Sequence, residues 1–264
     1  MINDLVAAMI LAVVQGITEW FPISSSGHLI LVSYLLGVEN TLSFDLALHF
    51  GTLMAVFVYF GKEITDIMRD MLMLRFKSEN GKMGILLIIA TIPAGLVGFL
   101  AKDFFEQSVN NLVLLTFGLG ITGVLLIISS LPSNVKSKEI TPKIAFLIGL
   151  AQIGALFRGI SRSGSTMCAG VLLGLDQRKA AKFSFLMSIP IIFGANILSL
   201  GNNTLPTSYL FPALISFVVG LGTIHLLLRF VLTKRANLKW FGIYALIVAL
   251  SLGTYLFLGG QFLA

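Results

Sequence analysis

Two short polar segments contain the residues whose types and spacing could do chemistry. In the first, Gln15 and Glu19 stand four residues apart and would share one face of a helix. An acidic side chain near the centre of a bilayer costs about 2.5 to 3.5 kcal/mol and is usually functional. As hard oxygen ligands, the two side chains could hold Mg²⁺ or Ca²⁺ together with phosphate oxygens. The alternative is a Glu19 that lies near the surface or caps a neighbouring helix.

A serine-rich run follows directly after Pro22. It consists of Ser24, Ser25, Ser26, Gly27 and His28. Hydroxyls, a flexible glycine and an imidazole at one helix start offer a nucleophile, anion-binding amides and a general acid or base. Any single one of the three serines is more often a helix cap than a nucleophile, but the histidine in the same break favours chemistry for the group.

The second segment places a guanidinium among hydroxyl groups. It contains Ser161, Arg162, Ser163, Gly164, Ser165 and Thr166. Arginine offers bidentate contacts to phosphate, and a helix start adds backbone donors, so this composition is typical of phosphate binding. The alternative is an arginine that reaches for a lipid headgroup, and it is stronger for Arg158, one turn earlier. Outside the two segments, Asp45 and His49 could line the entrance of a polar chamber between them. However, a position at the end of a membrane-spanning helix needs no function.

The composition shows what must position these residues. The chain has 264 residues, of which 56% are hydrophobic and only 11% charged, and its mean hydropathy is +0.95. An ordinary soluble domain has about a quarter charged residues, so we predict an all-α polytopic membrane protein. The net charge of +6 does not indicate nucleic acid, because the basic residues form short clusters between apolar spans.

Six apolar stretches are long enough to cross a bilayer, which takes roughly 17 to 25 residues. They are residues 44–60, 83–100, 112–131, 183–200, 208–231 and 240–258. Two further apolar regions, residues 4–37 and 143–175, are each interrupted by one of the Ser/Gly-rich runs. We therefore predict that each of these two regions forms a pair of short helices around a break.

The loop charges predict how the spans are oriented. Of the 18 Lys and Arg, 14 fall in four segments, and the alternate segments 38–43, 101–111 and 201–207 contain only Lys102. By the positive-inside rule the first group is cytoplasmic and the second external. The second broken region then enters and leaves from the cytoplasm, and the first from outside. The prediction is six spans and two re-entrant hairpins, with both termini outside.

An offset of 137 residues aligns the two broken regions. Gln15 then matches Gln152, Ile23 matches Ile160, and the first serine-rich run matches the second at three more positions. Each half contains one hairpin and three spans, and because three is odd the halves are inverted. We expect one integral membrane domain, residues 1–264, made of repeat 1 (about 1–137) and repeat 2 (about 138–264), with the two polar tips facing each other near the midplane.

The two segments resemble those of a known family, the membrane undecaprenyl-pyrophosphate phosphatases associated with bacitracin resistance. The run from Gln15 to His28 is similar to the family's (E/Q)xxxE segment followed by P-(V/I)-S-S-(S/T)-G-H. The run from Gly159 to Thr166 is similar to P-G-x-S-R-S-G-x-T, with Arg158 in place of the proline. The similarity in length and span pattern covers essentially the whole chain.

The resemblance implies hydrolysis of undecaprenyl pyrophosphate to the monophosphate lipid carrier, with a divalent cation, Mg²⁺ or Ca²⁺. It implies that Glu19 and Gln15 hold the metal and that Arg162 grips the pyrophosphate. Ser25 is the expected nucleophile and His28 its acid/base partner, with direct attack by His28 left open. The other residues expected to bind substrate are Ser24, Ser26, Gly27, Ser161, Ser163, Gly164 and Thr166.

The expected location is the plasma membrane, with the site open to the outer face because the loop that contains Glu19 enters from outside. The expected partners are the polyprenyl pyrophosphate and membrane lipids, without nucleic acid, and a homodimer is compatible with this. A polyprenyl-phosphate flippase or other transporter is the main alternative, because inverted repeats are also transporter architecture. A purely structural membrane protein would leave Glu19 and Arg162 without a reason to be buried.

Overall fold

A computed structural model describes residues 4–39, 41–107, 111–132, 137–200 and 206–259. In these ranges the chain is helical and contains no β-strand. The α-helices are α1 (Asp4–Thr18), α2 (Ser25–Leu36), α3 (Leu42–Tyr59), α4 (Gly61–Leu72), α5 (Glu79–Leu100), α6 (Lys102–Gln107), α7 (Leu112–Ser130), α8 (Pro142–Gly154), α9 (Arg162–Leu172), α10 (Gln177–Leu200), α11 (Leu210–Arg229) and α12 (Leu238–Phe257). The all-α prediction is confirmed for this part of the chain.

Five helical segments are long and apolar enough to cross a membrane. They are Leu42–Tyr59, Glu79–Leu100, Leu112–Ser130, Thr207–Thr233 and Arg235–Phe257, and each contains most of one predicted span. The sixth predicted span, 183–200, forms the larger part of α10, a 24-residue helix that is not among the five. The protein is therefore a membrane protein with five candidate spans in its described part. The chain ends and residues 201–205, on which the predicted orientation also depends, lie outside the described residues.

The two interrupted regions each form a pair of short helices, as predicted. In the first pair α1 and α2 have 15 and 12 residues, and in the second pair α8 and α9 have 13 and 11. None of these reaches the roughly 20 residues that cross a bilayer. Ser24 caps α2 and Ser161 caps α9, each by accepting a hydrogen bond from the amide three residues later. The serine-rich runs therefore begin the second helix of each pair, which is the usual role of an N-cap.

Helices from the two halves of the chain pack against each other. α1 packs against α11 and α8 packs against α5, while α3 meets α10 and α11, and α7 lies along α12. The largest buried apolar cluster surrounds Trp20 and includes residues of α3, α5, α8, α9, α10 and α11. The interrupted regions are thus held inside the bundle by the long helices.

Glycines allow the closest of these approaches. Where α7 meets α12, a Cβ on Gly242 would lie 2.8 Å from the carbonyl oxygen of Gly123, and a Cβ on Gly123 would lie 2.9 Å from that of Gly242. Small residues at helix interfaces let backbones approach closely in membranes, where packing replaces the hydrophobic effect. This pair of glycines fixes the position of α12 on α7. It therefore also fixes the residues of α12 that face the two serine-rich loops.

The glycine contact predicts a specific loss of stability. Gly242→Ala forces α7 and α12 apart and lowers the free energy of unfolding by about 1 to 3 kcal/mol. Gly120→Ala is the matched control, because a Cβ there meets nothing within 4 Å and alanine favours a helix over glycine. Thermal unfolding in detergent should show a lower Tm for Gly242→Ala only. An equal or higher Tm for both variants would contradict close packing at this point.

Candidate active site

Glu19 connects the two interrupted regions. It follows the last residue of α1, is 7% exposed, and its Oε1 lies 2.5 Å from Nη2 of Arg162 at the start of α9. Its Oε2 accepts hydrogen bonds from Ser25 Oγ at 2.7 Å and from Gln15 Nε2 at 3.1 Å. Residues that are 143 positions apart in the chain therefore share one carboxylate. The predicted meeting of the acid and the guanidinium is present in this structure.

Arg162 is held by contacts on several sides of its guanidinium. Nη1 donates to the carbonyl oxygen of Ser184 at 3.5 Å, and the guanidinium carbon lies 5.7 Å from the ring centroid of Trp20. Thr166 Oγ1 donates to the carbonyl oxygen of Arg162 at 2.7 Å and lies 2.6 Å from Ser184 Oγ. The side chain is 14% exposed, so the guanidinium meets Glu19 largely out of contact with solvent. A charge pair in such a setting depends on these surrounding partners.

The loop before α2 fixes the orientation of His28. Ser24 adopts a left-handed backbone conformation with φ 72°, which is uncommon for a residue other than glycine and occurs often at functional sites. His28 Nδ1 donates to the carbonyl oxygen of Ser24 at 2.7 Å. In the neutral ring, Nε2 then carries the lone pair, and it accepts a hydrogen bond from Tyr244 Oη on α12 at 2.8 Å. The two rings are stacked, with centroids 5.5 Å apart.

The structure pairs Ser25 with Glu19 instead of His28. The hydroxyl of Ser25 donates to Glu19, whereas both ring nitrogens of His28 have other partners. Among the hydrogen bonds of the described residues, none joins Ser25 to His28. A carboxylate that accepts this hydrogen bond is placed to receive the proton of the hydroxyl.

The remaining hydroxyls of the two segments mostly hold their own loops. Ser161 Oγ accepts from the amide of Gly164 at 3.0 Å and lies 3.2 Å from Ser163 Oγ, while Ser163 Oγ donates to the carbonyl oxygen of Phe21 at 3.4 Å. The last of these bonds joins the second loop to the first. In the first loop, Ser24 Oγ accepts from the amide of Gly27 and lies 3.4 Å from Ser26 Oγ. The capping interpretation offered for the first serine-rich run is therefore correct for Ser24, and Ser161 caps α9 in the same way.

Helix α3 adds two residues to the site. His49 Nε2 lies 3.5 Å from Glu19 Oε2, and Asp45 Oδ2 lies 3.9 Å from Nη2 of Arg158. From their positions in the sequence, both could line the chamber entrance without needing a function, yet in the structure His49 contacts the central carboxylate. The only signal in the sequence was their i, i+4 spacing, which places them on one face of α3.

Tyr244 had no signal in the sequence. It is one of several aromatic residues in an apolar span, and 216 positions separate it from His28. Ser184 on α10 contacts Arg162 from another distant segment, whereas Trp20, which also contacts Arg162, directly follows Glu19 inside the first polar segment. Tyr244 and Ser184 join the site only because the long helices α12 and α10 bring them there.

The oxygen atoms around Glu19 fit a hard divalent cation. Gln15 is fully buried, and within the described part of the chain its Oε1 has no hydrogen-bond partner. This oxygen belongs to the side chain that donates to Glu19, so an unsatisfied acceptor and a carboxylate stand side by side. Among the residues that the structure describes, no group of three or more His, Cys, Asp or Glu is placed to hold a metal. A cation here would need further oxygen ligands from water or from phosphate.

Comparison with known proteins identifies the family. The family described as bacitracin resistance protein BacA matches residues 8–251. The chain belongs to this family. The undecaprenyl-diphosphatase of Caldicellulosiruptor bescii is 43% identical over 251 residues, which cover 92% of this chain and 94% of that protein. That of Thermosipho africanus is 39% identical over 246 residues, with 92% and 96% covered. The BacA match confirms the resemblance that the two polar segments indicated.

Proposed function

We propose that this protein hydrolyses undecaprenyl pyrophosphate to undecaprenyl phosphate and inorganic phosphate. The observation that supports this most is the contact between Glu19 and Arg162, which places an acid, a guanidinium and a serine hydroxyl at one buried point. The relatives in Caldicellulosiruptor and Thermosipho are named undecaprenyl-diphosphatase and match this chain over more than nine-tenths of its length. The substrate is therefore a lipid that reaches the site from the membrane.

Arg162 is the expected phosphate clamp. It stands at the first position of α9, and the backbone N–H groups of a helix start can also bind an anion. Its guanidinium is paired with Glu19 in this structure, and a phosphate oxygen would share or replace that partner. The substrate-binding roles predicted for Ser26, Gly27, Ser163 and Gly164 follow from their places in the same two helix starts.

Ser25 is the proposed nucleophile. Its Oγ attacks the terminal phosphorus, the bridging P–O bond breaks, and undecaprenyl phosphate leaves with the electron pair. The proton of the hydroxyl passes to Glu19, whose Oε2 already accepts its hydrogen bond at 2.7 Å. Water then attacks the phosphoserine and releases inorganic phosphate. Glu19 is thus the proposed base, in addition to the metal-binding role that the resemblance implies for it.

His28 is the proposed acid/base partner on the other side of the loop. The carbonyl of Ser24 holds the proton on Nδ1, so that Nε2 is the nitrogen that exchanges a proton with water or with the leaving oxygen. Tyr244 holds that nitrogen in place as a positioning residue. Direct attack by His28 would require Nε2 to leave Tyr244.

Gln15 and Glu19 are the residues that would hold a divalent cation, Mg²⁺ or Ca²⁺. The unsatisfied oxygen of Gln15 supports this assignment. When bound, the cation offsets negative charge on the phosphates.

The finer arrangement that we propose is six spans and two re-entrant hairpins in an inverted repeat. In this repeat, α1 corresponds to α8, α3 to α10, α5 to α11 and α7 to α12. The packing is consistent with this correspondence, because α1 packs on α11 as α8 packs on α5, and α3–α10 and α7–α12 are contacts between corresponding helices. The short helices of the two hairpins also support it. With the loop charges, this arrangement puts both termini outside the plasma membrane and opens the site to the outer face.

Phosphate release is the direct test of this function. Purified protein should release phosphate from farnesyl or undecaprenyl pyrophosphate with Mg²⁺ or Ca²⁺, and a chelator should abolish the release. Arg162→Ala should reduce kcat/KM by about 100-fold or more, because a charge-assisted phosphate contact is lost. Arg69→Gln, an exposed arginine on α4, is the control for loss of a positive charge and should retain full activity.

The transporter alternative makes the opposite prediction for the same sample. Well-folded wild-type protein that releases no phosphate but moves labelled polyprenyl phosphate across liposomes would overturn the hydrolase proposal.

The hydrogen bond between Tyr244 and His28 gives a second prediction. Tyr244→Phe should lower kcat by about threefold to tenfold with little change in KM, because one hydrogen bond to the acid/base residue is lost. Tyr255→Phe is the matched control, since Tyr255 lies on the same helix and its hydroxyl contacts Tyr34 instead. The pH profile of kcat should shift for Tyr244→Phe alone. Identical profiles for both variants and wild type would exclude a positioning role.

A further inference from the structure

Arg158 is the least satisfied cation next to the site. It lies in the turn between α8 and α9, its side chain is 25% exposed, and its contact with Asp45 Oδ2 is 3.9 Å long. Within the described residues this is its one ionic or hydrogen-bonding partner. A guanidinium has five N–H donors, and 3.9 Å exceeds a hydrogen-bond distance. Most of its donors are therefore available to a ligand.

Helix α3 shows how close Arg158 lies to the proposed reaction. Asp45 and His49 are one helical turn apart on one face, and His49 contacts Glu19 at 3.5 Å. The pair of Asp45 with Arg158 therefore lies about one turn of α3 from the pair of Glu19 with Arg162, towards the N-terminal end of α3.

The backbone between the two arginines is held in place. Gly159 has φ 94°, and a Cβ there would lie against the backbone of Leu115, which leaves room only for glycine. Its carbonyl oxygen accepts a hydrogen bond from Thr122 Oγ1 at 3.1 Å, and the same oxygen of Thr122 accepts from the amide of Ser161 at 3.0 Å. Thr122 of α7 therefore holds the backbone at both Gly159 and Ser161. These two hydrogen bonds fix the turn between Arg158 and Arg162.

The charges of these groups indicate what Arg158 does. Arg162 and Arg158 are each matched by one carboxylate, Glu19 and Asp45, so that the four groups carry no net formal charge. A diphosphate headgroup brings several negative charges and needs cationic partners for both phosphoryl groups. The long Asp45 contact is the weaker of the two pairs and is the one that a phosphate oxygen can most easily replace.

We infer that Arg158 is a second phosphate-binding side chain, which takes the phosphoryl group that Arg162 does not hold, and that Asp45 is its counter-ion when no ligand is bound. The ligand chemistry is a phosphoryl group, from the diphosphate headgroup or from released phosphate. This inference deepens the proposed function and depends on it for the identity of the substrate.

Binding measurements test this without turnover. The probes are farnesyl methylenediphosphonate, which is not hydrolysed, farnesyl monophosphate and inorganic phosphate, each titrated into purified protein in detergent. Arg158→Gln should weaken the diphosphonate about tenfold or more, the usual effect of a lost hydrogen bond to a charged group, and leave the monophosphate within about twofold. Arg158→Lys should recover part of the affinity, and Arg69→Gln should change neither.

Asp45→Asn separates direct contact from net charge. Alone, it should tighten diphosphonate binding, because a competing carboxylate is gone. In the double variant Arg158→Gln/Asp45→Asn, the affinity should stay as low as in Arg158→Gln, since the contact itself is missing. A return to wild-type affinity would mean that only net charge matters and would overturn the inference.

The two sources of phosphate give different results. Weaker diphosphonate binding by Arg158→Gln assigns Arg158 to the headgroup, and weaker binding of inorganic phosphate alone assigns it to the product; either result supports a phosphate site. Unchanged affinity for all three probes, with Tm equal to wild type, would refute it. If wild-type protein binds the probes but releases no phosphate, the proposed function fails and the binding result still decides this inference.

Discussion

The contact between Glu19 and Arg162 is the interaction on which the rest of the site depends. A carboxylate and a guanidinium, both largely buried, have to be brought together from opposite halves of the chain. Each would be costly to bury alone, so the two loops are stable in this position only as a pair. The hydroxyl of Ser25 and the amide of Gln15 complete the shell around the acid. The same groups that satisfy these charges are those that bind a lipid diphosphate and cleave its phosphoanhydride bond in our proposal.

The helices explain how such polar loops can lie inside a membrane protein. Helices α2 and α9 begin at the loops and expose backbone donors there, while α3, α10 and α12 surround the break with His49, Ser184 and Tyr244. Irregular backbone at membrane depth is tolerated only where protein or a polar cavity covers it. Close glycine contacts between the long helices provide that cover. The helices therefore enclose one polar site within an apolar bundle.

Much of this could be predicted from the sequence, for identifiable physical reasons. Bilayer thickness sets a length that apolar runs must reach. Five of the six predicted spans therefore coincide with helices that are long and apolar enough to cross a membrane. Polar runs inside apolar regions located both breaks, and the rarity of buried charge selected Glu19 and Arg162. The amphipathic helix α4 (Gly61–Leu72) was not predicted, because its charged residues resemble a loop when only apolar runs are counted.

The remaining features depend on packing between distant segments. Tyr244 reaches His28 and His49 reaches Glu19 only because α12 and α3 have a particular rotation, which no local pattern encodes. The pairing of Ser25 with Glu19 instead of His28 depends on the backbone of Ser24, whose left-handed conformation is unusual for serine. The long contact between Asp45 and Arg158 likewise requires a fixed turn at Gly159. The residue types in the sequence therefore located the site, whereas the contacts between its side chains follow from the tertiary structure.

A double-mutant cycle on Glu19 and Arg162 tests the central claim most directly. Glu19→Gln, Arg162→Met and the double variant would be compared by thermal unfolding in detergent. Arg162→Met should lose about 3 to 5 kcal/mol, because it leaves a buried charge without a partner, and the double variant should lose clearly less than the sum of the singles. The partly exposed pair Glu63–Lys182, whose side chains are 43% and 42% exposed, is the reference, where the coupling should be at most about 1 kcal/mol. Additive losses at Glu19 and Arg162 would show that the two loops do not meet through this pair.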